Sequence, residues 1–311
     1  MSTDKRRFRS GTLTHCYQNT KNGFLLFYSK TDYLVYFTIV CMKALQHKIR
    51  VLSICQMPDH THGGYIAERL AALSSFMRDV TSLFARIGQS AQCRRGELFN
   101  THYGSAPKTD AKKVRTTLVY IGNNPVERQL VSKAEDYQWN YLAYAKSSHP
   151  FSEELVIRRA SFAMRKAISE VKGNRARNRP LSYSTIQRLF ATLDKKESLQ
   201  LVDLIVSTYS VIDFEAASGF FDGYDDMIGA MHYNTGSEYD IKEVKVGRSD
   251  LCYGRICTWL MKNLHLNDIH DVFLLSESER TDLLFDINKE LGIPIEQVAK
   301  YLRLIVESRK I

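Results

Sequence analysis

The sequence lacks the features that mark membrane, exported or zinc-knuckle proteins. None of its apolar runs approaches the ~18 residues that a membrane-spanning helix needs, and residues 1–10 are polar and basic, unlike an export signal. Its 6 cysteines include no Cys-x-x-Cys pair, so the sequence spells out neither a zinc knuckle nor a redox motif. We therefore expect a cytoplasmic protein with reduced thiols and no membrane partner.

Positive charge is what the sequence has in excess. Lys and Arg number 43 against 34 Asp and Glu, which gives a formal net charge of +9. This balance favours a polyanionic partner such as nucleic acid, although a basic surface alone does not establish one. With 311 residues, of which 44% are hydrophobic, the chain can bury a substantial core and is long enough for two domains.

Strand and helix patterns alternate in residues 1–146. Strands are predicted at 12–17, 24–27, 49–55 and 60–66, with a turn at 20–23 between the first two. Helices are predicted at 32–46, capped by Thr31, and at 68–87 and 110–119. This order predicts an α+β fold, in which helices pack on a small antiparallel sheet.

The composition changes after residue 146. Between 158 and 179 there are 8 Lys or Arg and a single acidic residue, Glu170, so 147–180 is predicted to be a solvated basic connector that touches phosphate backbone. Residues 181–311 are mostly helical by pattern. Their last part, ERTDLLFDINKELGIPIEQVAKYLRLI, resembles a helix-turn-helix, a pattern shared by DNA-recognition elements and plain helical hairpins.

The stretch MPDHTHGGYI places two histidines one residue apart on the strand predicted at 60–66. Alternation along a strand sends His60 and His62 to one face, within reach of a single ion. Two imidazoles would leave the rest of a divalent metal's coordination shell open, as a catalytic site requires. Because His-x-His pairs are common and most bind nothing, a second feature is needed to support a site.

The second feature lies in LVYIGNNPVERQLV. Tyr120 and Asn124 are four residues apart, so on a continuing helix they share a face. Pro125 is predicted to end or bend that helix, because the residue before proline avoids the helical region. Asn124 would then lie at a helix end, where its amide oxygen can reach a metal held by the two histidines.

These motifs together resemble the single-tyrosine transposases of the HUH class, especially the REP-associated and insertion-sequence branches. That family carries Met-Pro-Asn-His-x-His, then Tyr-Ile-x-x-Asn-Pro-Val, then an Asp-Tyr-x-Trp block. The matching residues here are Met57, Pro58, His60, His62, Tyr120, Ile121, Asn124, Pro125, Val126, Asp136, Tyr137, Trp139 and Tyr144. The resemblance covers residues 12–144.

This chain departs from the family pattern at two places on the histidine strand. Asp59 stands where the family usually has asparagine, and Gly63 and Gly64 stand where it has an apolar strand. Two glycines in succession weaken a strand, so they are predicted to mark a bulge or a close approach of DNA backbone.

The resemblance implies a metal-dependent enzyme that cleaves and rejoins single-stranded DNA near hairpins. Tyr120 is the implied nucleophile, which forms a 5′-phosphotyrosine link, and His60, His62 and Asn124 are the implied ligands of Mg²⁺ or Mn²⁺. It also implies an HUH-type catalytic domain at 1–146, a helical domain at 181–311, and a monomer or homodimer.

DNA binding is predicted for a basic region around and between the two motifs. Its candidate residues are Arg78, Arg86, Arg94, Arg95, Lys112, Lys113 and Arg115. Two other functions stay open at this point: a noncatalytic DNA-binding regulator descended from such an enzyme, and a replication initiator or relaxase with the same chemistry.

Overall fold

A four-stranded antiparallel sheet forms the centre of the N-terminal half. The computed structural model describes residues 7–94, 96–100, 102–233 and 249–305. The strands are β1 (Leu13–Asn19), β2 (Arg50–Gln56), β3 (His60–Ile66) and β4 (Gly104–Pro107). Their order is β2-β3-β1-β4, which puts the predicted histidine strand in the interior of the sheet. The predicted α+β class is therefore confirmed.

Three helices cover the two faces of this sheet. They are α1 (Lys30–His47), α2 (Leu70–Ala91) and α3 (Ala111–Glu127). On one face Thr61 bonds with Tyr36 of α1 and Tyr65 packs on Phe76 of α2. Since neighbouring strand residues point to opposite faces, the other face carries His60 and His62, and α3 lies over it.

Local predictions in this half were wrong at three points. Residues 24–27 form no strand; instead Leu26 and Phe27 donate backbone hydrogen bonds to the Pro58 carbonyl. The cap of α1 is Ser29 rather than Thr31, because Ser29 and Asp32 form a reciprocal capping box. Pro125 lies inside α3 and does not end it, because the helix continues to Glu127.

The glycines of β3 are explained by packing within the protein. A Cβ atom on Gly63 would lie 2.2 Å from the ring of Tyr65, and one on Gly64 would lie 3.1 Å from Leu13. The irregularity in the sheet lies on the opposite strand, β2, after Val51. The predicted bulge is therefore not in β3, and the predicted approach of DNA backbone to these glycines stays a prediction.

The remainder of the described chain is helical. Its helices are α4 (Phe162–Ala176), α5 (Tyr183–Phe190), α6 (Lys195–Tyr209), α7 (Phe214–Ser218), α8 (Tyr224–Tyr233), α9 (Cys252–Asn263), α10 (Glu277–Leu291) and α11 (Ile295–Leu302). Each helix in this part of the chain is too short or too polar to span a bilayer, as are those before it.

Helix α4 lies within the segment predicted to be a solvated basic connector, and one of its faces is not solvated. Its residues Met164, Ala167, Ile168 and Val171 recur at helical spacing and are buried. They join α5 and α6 in one hydrophobic core with α1 and the sheet. The division of the chain at 146 and 180 stays a prediction, but the apolar core runs across both positions.

Helices α9, α10 and α11 form a second core, which we call the C-terminal bundle. It includes Leu25 and Tyr28 from the loop before α1, so this bundle packs on the sheet half of the chain. Helix α11 buries Val298, Ala299 and Leu302. The second helix of the predicted helix-turn-helix is therefore used for packing within the chain.

Both edges of the sheet are short or covered. At β2, the backbone N–H of Asp213 donates to the Val51 carbonyl at 2.8 Å, and the Arg50 side chain bonds with the Asp213 carboxylate. At the other edge, β4 is four residues long and ends in Pro107, which has no N–H to donate.

Candidate functional site

The two motif histidines lie side by side under α3. His60 and His62 project from the same face of β3, with ring centroids 4.8 Å apart and ring planes perpendicular. This confirms the face predicted from alternation along the strand. Both rings are almost completely buried, at 5% and 1% exposure, so bulk water does not solvate them.

Asp59 holds the ring of His60. The Nδ1 atom of His60 lies 2.5 Å from Asp59 Oδ1, while the other oxygen of this carboxylate pairs with Lys300 of α11. Burial opposes ionisation of Asp59, but His60 and Lys300 outweigh that effect and hold its pKa well below the usual range. His60 Nε2, by contrast, is buried and has no hydrogen-bond partner among the described residues.

A third histidine, His15, completes the cluster and was missed by the sequence reasoning. It lies on β1, where Tyr17 is the register partner of His62, and His15 Nε2 lies 3.0 Å from His62 Nδ1. When His62 donates from Nδ1, its Nε2 presents a lone pair. The sequence did place His15 on a predicted strand, but local sequence does not predict that β1 pairs with β3.

Helix α3 brings the predicted nucleophile to the histidines. The Tyr120 ring lies 5.6 Å from the ring of His62 and 5.7 Å from that of His15. Asn124 lies one turn further on, and its Nδ2 donates to the Tyr120 carbonyl at 2.9 Å. This bond turns the carboxamide oxygen of Asn124 away from its own helix backbone. Tyr120 is only 5% exposed, so a DNA strand reaches it only if neighbouring groups move.

The Asp-Tyr-x-Trp block forms the wall of the site. Tyr137 donates to the Gln56 carbonyl at 2.8 Å, at the end of β2, and belongs to a small apolar cluster that contains Tyr120. The ring of Trp139 is stacked on that of Tyr33, with centroids 4.5 Å apart. This block therefore fixes the turn that connects β2 to the histidine strand.

The donor chemistry of His60 suits a divalent ion. His60 has a carboxylate on one nitrogen and an unsatisfied second nitrogen, which is the arrangement of metal-ligating histidines with an outer carboxylate. The third imidazole, His15, is bonded to His62. The described residues contain no group of three or more His, Cys, Asp or Glu side chains arranged to hold a metal.

A further buried carboxylate, Asp250, lies near this charge cluster. It is 3% exposed, and its Oδ2 finds no hydrogen-bond partner among the described residues. Burial raises its pKa to about 6, and the negative charge of Asp59 adds to the effect. Asp250 therefore changes its charge closer to neutral pH than an ordinary aspartate does.

The predicted DNA-binding residues do not form one surface. Two of them lie exposed on α2 and three lie exposed near the start of α3, on opposite sides of the sheet: Arg78 and Arg86, then Lys112, Lys113 and Arg115. Arg94 is instead buried, and its Nη2 donates to the Leu25 carbonyl at 2.6 Å. Arg95 lies outside the described residues.

A likeness to a solved structure covers about half of this chain. A solved structure of a REP-associated tyrosine transposase bound to a REP hairpin matches with a TM-score of 0.41 and 18% sequence identity. The match covers 52% of this chain and 95% of that one. No protein-family model and no curated protein matches the sequence.

Proposed function

We propose that this protein is a metal-dependent DNA strand transferase, which nicks and rejoins single-stranded DNA through Tyr120. The observation that carries the proposal is the placement of Tyr120 on α3 directly over His62, next to the carboxylate-held His60. The separated motifs that resemble single-tyrosine transposases support the same reading. We further propose that it acts in the cytoplasm, on DNA with a hairpin.

The proposed reaction is a transesterification. The Tyr120 phenol oxygen attacks a phosphodiester, so that a Tyr–O–P bond forms as the P–O3′ bond breaks. The phenol proton leaves with attack, and the departing 3′ oxygen gains one proton and becomes a free hydroxyl. The phosphate stays bonded to the 5′ carbon of the next nucleotide, and reversal of the same step rejoins strands without ATP.

In this scheme His60, His62 and Asn124 hold the ion. A bound Mg²⁺ or Mn²⁺ would polarise the scissile phosphate and offset the charge that develops in the transition state. Asp59 and His15 each anchor one Nδ1 atom, and so fix the directions in which the two imidazoles present Nε2. The exposed basic residues of α2 and α3 would contact phosphates flanking the reacting one.

A denaturing gel tests the nucleophile. Purified protein is mixed with Mn²⁺ and labelled single-stranded DNA taken from the flanks of its own gene, beside Tyr120→Phe. We expect a slowly migrating covalent band that Tyr120→Phe abolishes, because the phenylalanine has no attacking oxygen. Tyr137→Phe is the matched control, since Tyr137 bonds with the backbone of the sheet and should still permit the adduct. A band that persists in Tyr120→Phe would remove Tyr120 from the mechanism.

Calorimetry tests the ion separately from the chemistry. Mn²⁺ should bind the protein without DNA, and His60→Ala together with His62→Ala should abolish that binding. His149→Ala is the control, since this histidine bonds with Ser148 away from the cluster. If the double variant binds Mn²⁺ as the unmodified protein does, the proposed ligand set is wrong.

One observation favours a second function, a noncatalytic DNA-binding regulator. Tyr120, His62 and Asn124 are all at least 95% buried, as expected for a site retained for packing rather than for turnover. Binding of hairpin DNA with no covalent band, across several metals and flanking sequences, would favour this regulator over the enzyme.

A further inference from the structure

A cleft lies between the sheet half and the C-terminal bundle, and it is lined by basic side chains from both. Its volume is about 860 Å³, which is large enough for a ligand of nucleotide size. Lys21 and Arg94 line it from the sheet half, and Arg280 and Arg303 line it from the bundle. Glu97 is the acidic residue of the lining, and it pairs with Lys21 at 3.0 Å.

The three arginines have only uncharged acceptors among the described residues. Arg94 donates to the Leu25 carbonyl, and Arg280 donates to the Leu302 carbonyl. Arg303 donates to the Tyr28 hydroxyl and to the Gln92 carbonyl. Among the described residues, no carboxylate pairs directly with these three guanidinium groups. Glu277 and Asp32 act on the charges of Arg280 and Arg94 only from a greater distance, and Arg303 lies over the rings of Tyr28 and Phe273.

Each of the three also keeps a nitrogen that the described protein leaves unsatisfied. These atoms are Arg94 Nε, Arg280 Nε and Arg303 Nη2, and all three are buried. Burial and, to a smaller extent, the nearby Arg303 charge lower the pKa of Arg94 to about 10. A buried, unpaired positive charge is costly, so an anion in the cleft would stabilise this arrangement.

We propose that this cleft binds the phosphodiester backbone of single-stranded DNA. Arginine presents a planar fork of donors that matches phosphate oxygens, and three such forks converge here. Phe24 lies in the same lining and offers apolar surface for a base, while the ring of Phe273 holds the Arg303 guanidinium at 3.5 Å. The choice of DNA as the polyanion rests on the proposed function, whereas the anion site itself rests on the arginines.

The salt dependence of binding tests this assignment. Fluorescence anisotropy of a labelled oligothymidylate is measured in EDTA at several salt concentrations, so that no cleavage occurs. Arg280→Gln and Lys21→Gln should each weaken binding, by roughly tenfold for the arginine. Each should also lower the slope of log K against log salt by about 0.7 for every phosphate that the variant no longer neutralises. Lys289→Gln, an exposed change on the same helix as Arg280, should leave both quantities unchanged.

Competition and stability measurements complete the design. Unlabelled oligothymidylate should displace the probe far better than thymidine monophosphate or inorganic phosphate, and thermal unfolding confirms that each variant is folded. Lys21 is exposed and its charge partner in the described part of the chain is Glu97, so Lys21→Gln remains informative if Arg280→Gln unfolds. The proposal is overturned if folded cleft variants keep the original affinity and slope, or if a free nucleotide binds and the oligonucleotide does not compete.

Failure of this proposal can be told apart from failure of the proposed enzyme. Tyr120→Phe should bind the oligonucleotide normally, because the cleft does not contain Tyr120. If the cleft variants weaken binding but no covalent band forms, the proposed DNA-binding cleft is supported and the proposed enzyme activity is ruled out. A covalent band, together with a salt dependence of binding that the cleft variants do not change, would support the enzyme and rule out the cleft.

Discussion

Among the ion pairs of the described residues that join the C-terminal bundle to the sheet half, two end at different kinds of group. His270 Nε2 lies 3.1 Å from Asp32, which completes the capping box of α1, whereas Lys300 pairs with Asp59, which holds the candidate ligand His60. The first pair therefore acts on the start of a core helix and the second on the site. Their difference shows that one small bundle can support the fold and the chemistry through separate contacts.

The His270 pair lies in a dense buried network. Asp32 is fully buried and accepts hydrogen bonds from Tyr183, Gln92 and the backbone of Tyr28. The Lys300 pair is more open, since a quarter of the lysine side chain is exposed. Water can therefore solvate Asp59 in part when Lys300 is absent, but it cannot reach the buried carboxylate of Asp32 to replace His270.

The largest expected effect is that of His270→Ala. Removing this cation leaves Asp32 buried without its charge partner, so the free energy of unfolding should fall by about 3–5 kcal/mol. Urea denaturation measures the loss. His232→Ala, which removes a more exposed pair with Glu135, should change it by about 0.5 kcal/mol or less. Equal losses in the two variants would contradict the assignment of His270 as a structural anchor.

The pH dependence of stability should report the same pair. Burial alone would lower the pKa of His270, but Asp32 and Asp268 raise it to about 9, above its ordinary 6.5. A raised pKa gives stability that is full below pH 6.5 and is lost as the pH rises through about 9. Burial opposes ionisation of Asp32, but His270 and the other hydrogen-bond partners of Asp32 lower the pKa of this carboxyl below 3.8. The stability that ionised Asp32 contributes is therefore lost only in acid.

Urea midpoints at pH 5.5, 7.5 and 9.5 check this prediction. The unmodified protein should be most stable at pH 5.5 and least stable at pH 9.5, and His270→Gln should flatten the fall between them. If the variant loses stability with the same slope as the unmodified protein, other groups cause the alkaline loss.

A smaller effect is expected at the site from Lys300→Gln. With its carboxylate no longer held by α11, Asp59 should orient His60 less well, and Mn²⁺ affinity should fall by about 10-fold to 100-fold. The free energy of unfolding should change less than in His270→Ala. Calorimetry with Mn²⁺ measures the affinity, and Lys300→Arg should restore most of it because the charge is kept. Failure of arginine to rescue would indicate that Lys300 acts through packing alone.

The smallest effect is expected from Tyr137→Phe, which touches neither ion pair. It removes the hydrogen bond to the Gln56 carbonyl and should lower the free energy of unfolding by about 1 kcal/mol. Urea denaturation again gives the value. A loss as large as that of His270→Ala would mean that the Asp-Tyr-x-Trp block, and not the bundle, is the main anchor of the sheet.

Local patterns predicted the parts of the site that depend on one element. The common face of His60 and His62 follows from strand alternation, and the common face of Tyr120 and Asn124 follows from helical spacing; both are seen. The strand predicted at 60–66 is β3 itself. Local patterns could not predict which strands and helices contact one another in the fold.

The missed residues all depend on contacts between distant segments. His15 reaches His62 across 47 residues because β1 pairs with β3, and Lys300 reaches Asp59 across 241 residues because α11 packs back on the sheet half. Arg94 is buried against the Leu25 carbonyl and lines the cleft beside the bundle, apart from the exposed candidate DNA-binding residues. Tertiary packing, rather than local propensity, decides these positions.

The edges of the sheet also bear on how two copies of the chain could associate. Strand β2 shares hydrogen bonds with the segment before α7, and β4 is too short and too close to a proline to template a long partner strand. Edge-to-edge addition of a second sheet, a common route to both dimers and fibrils, therefore has little backbone to use at either side.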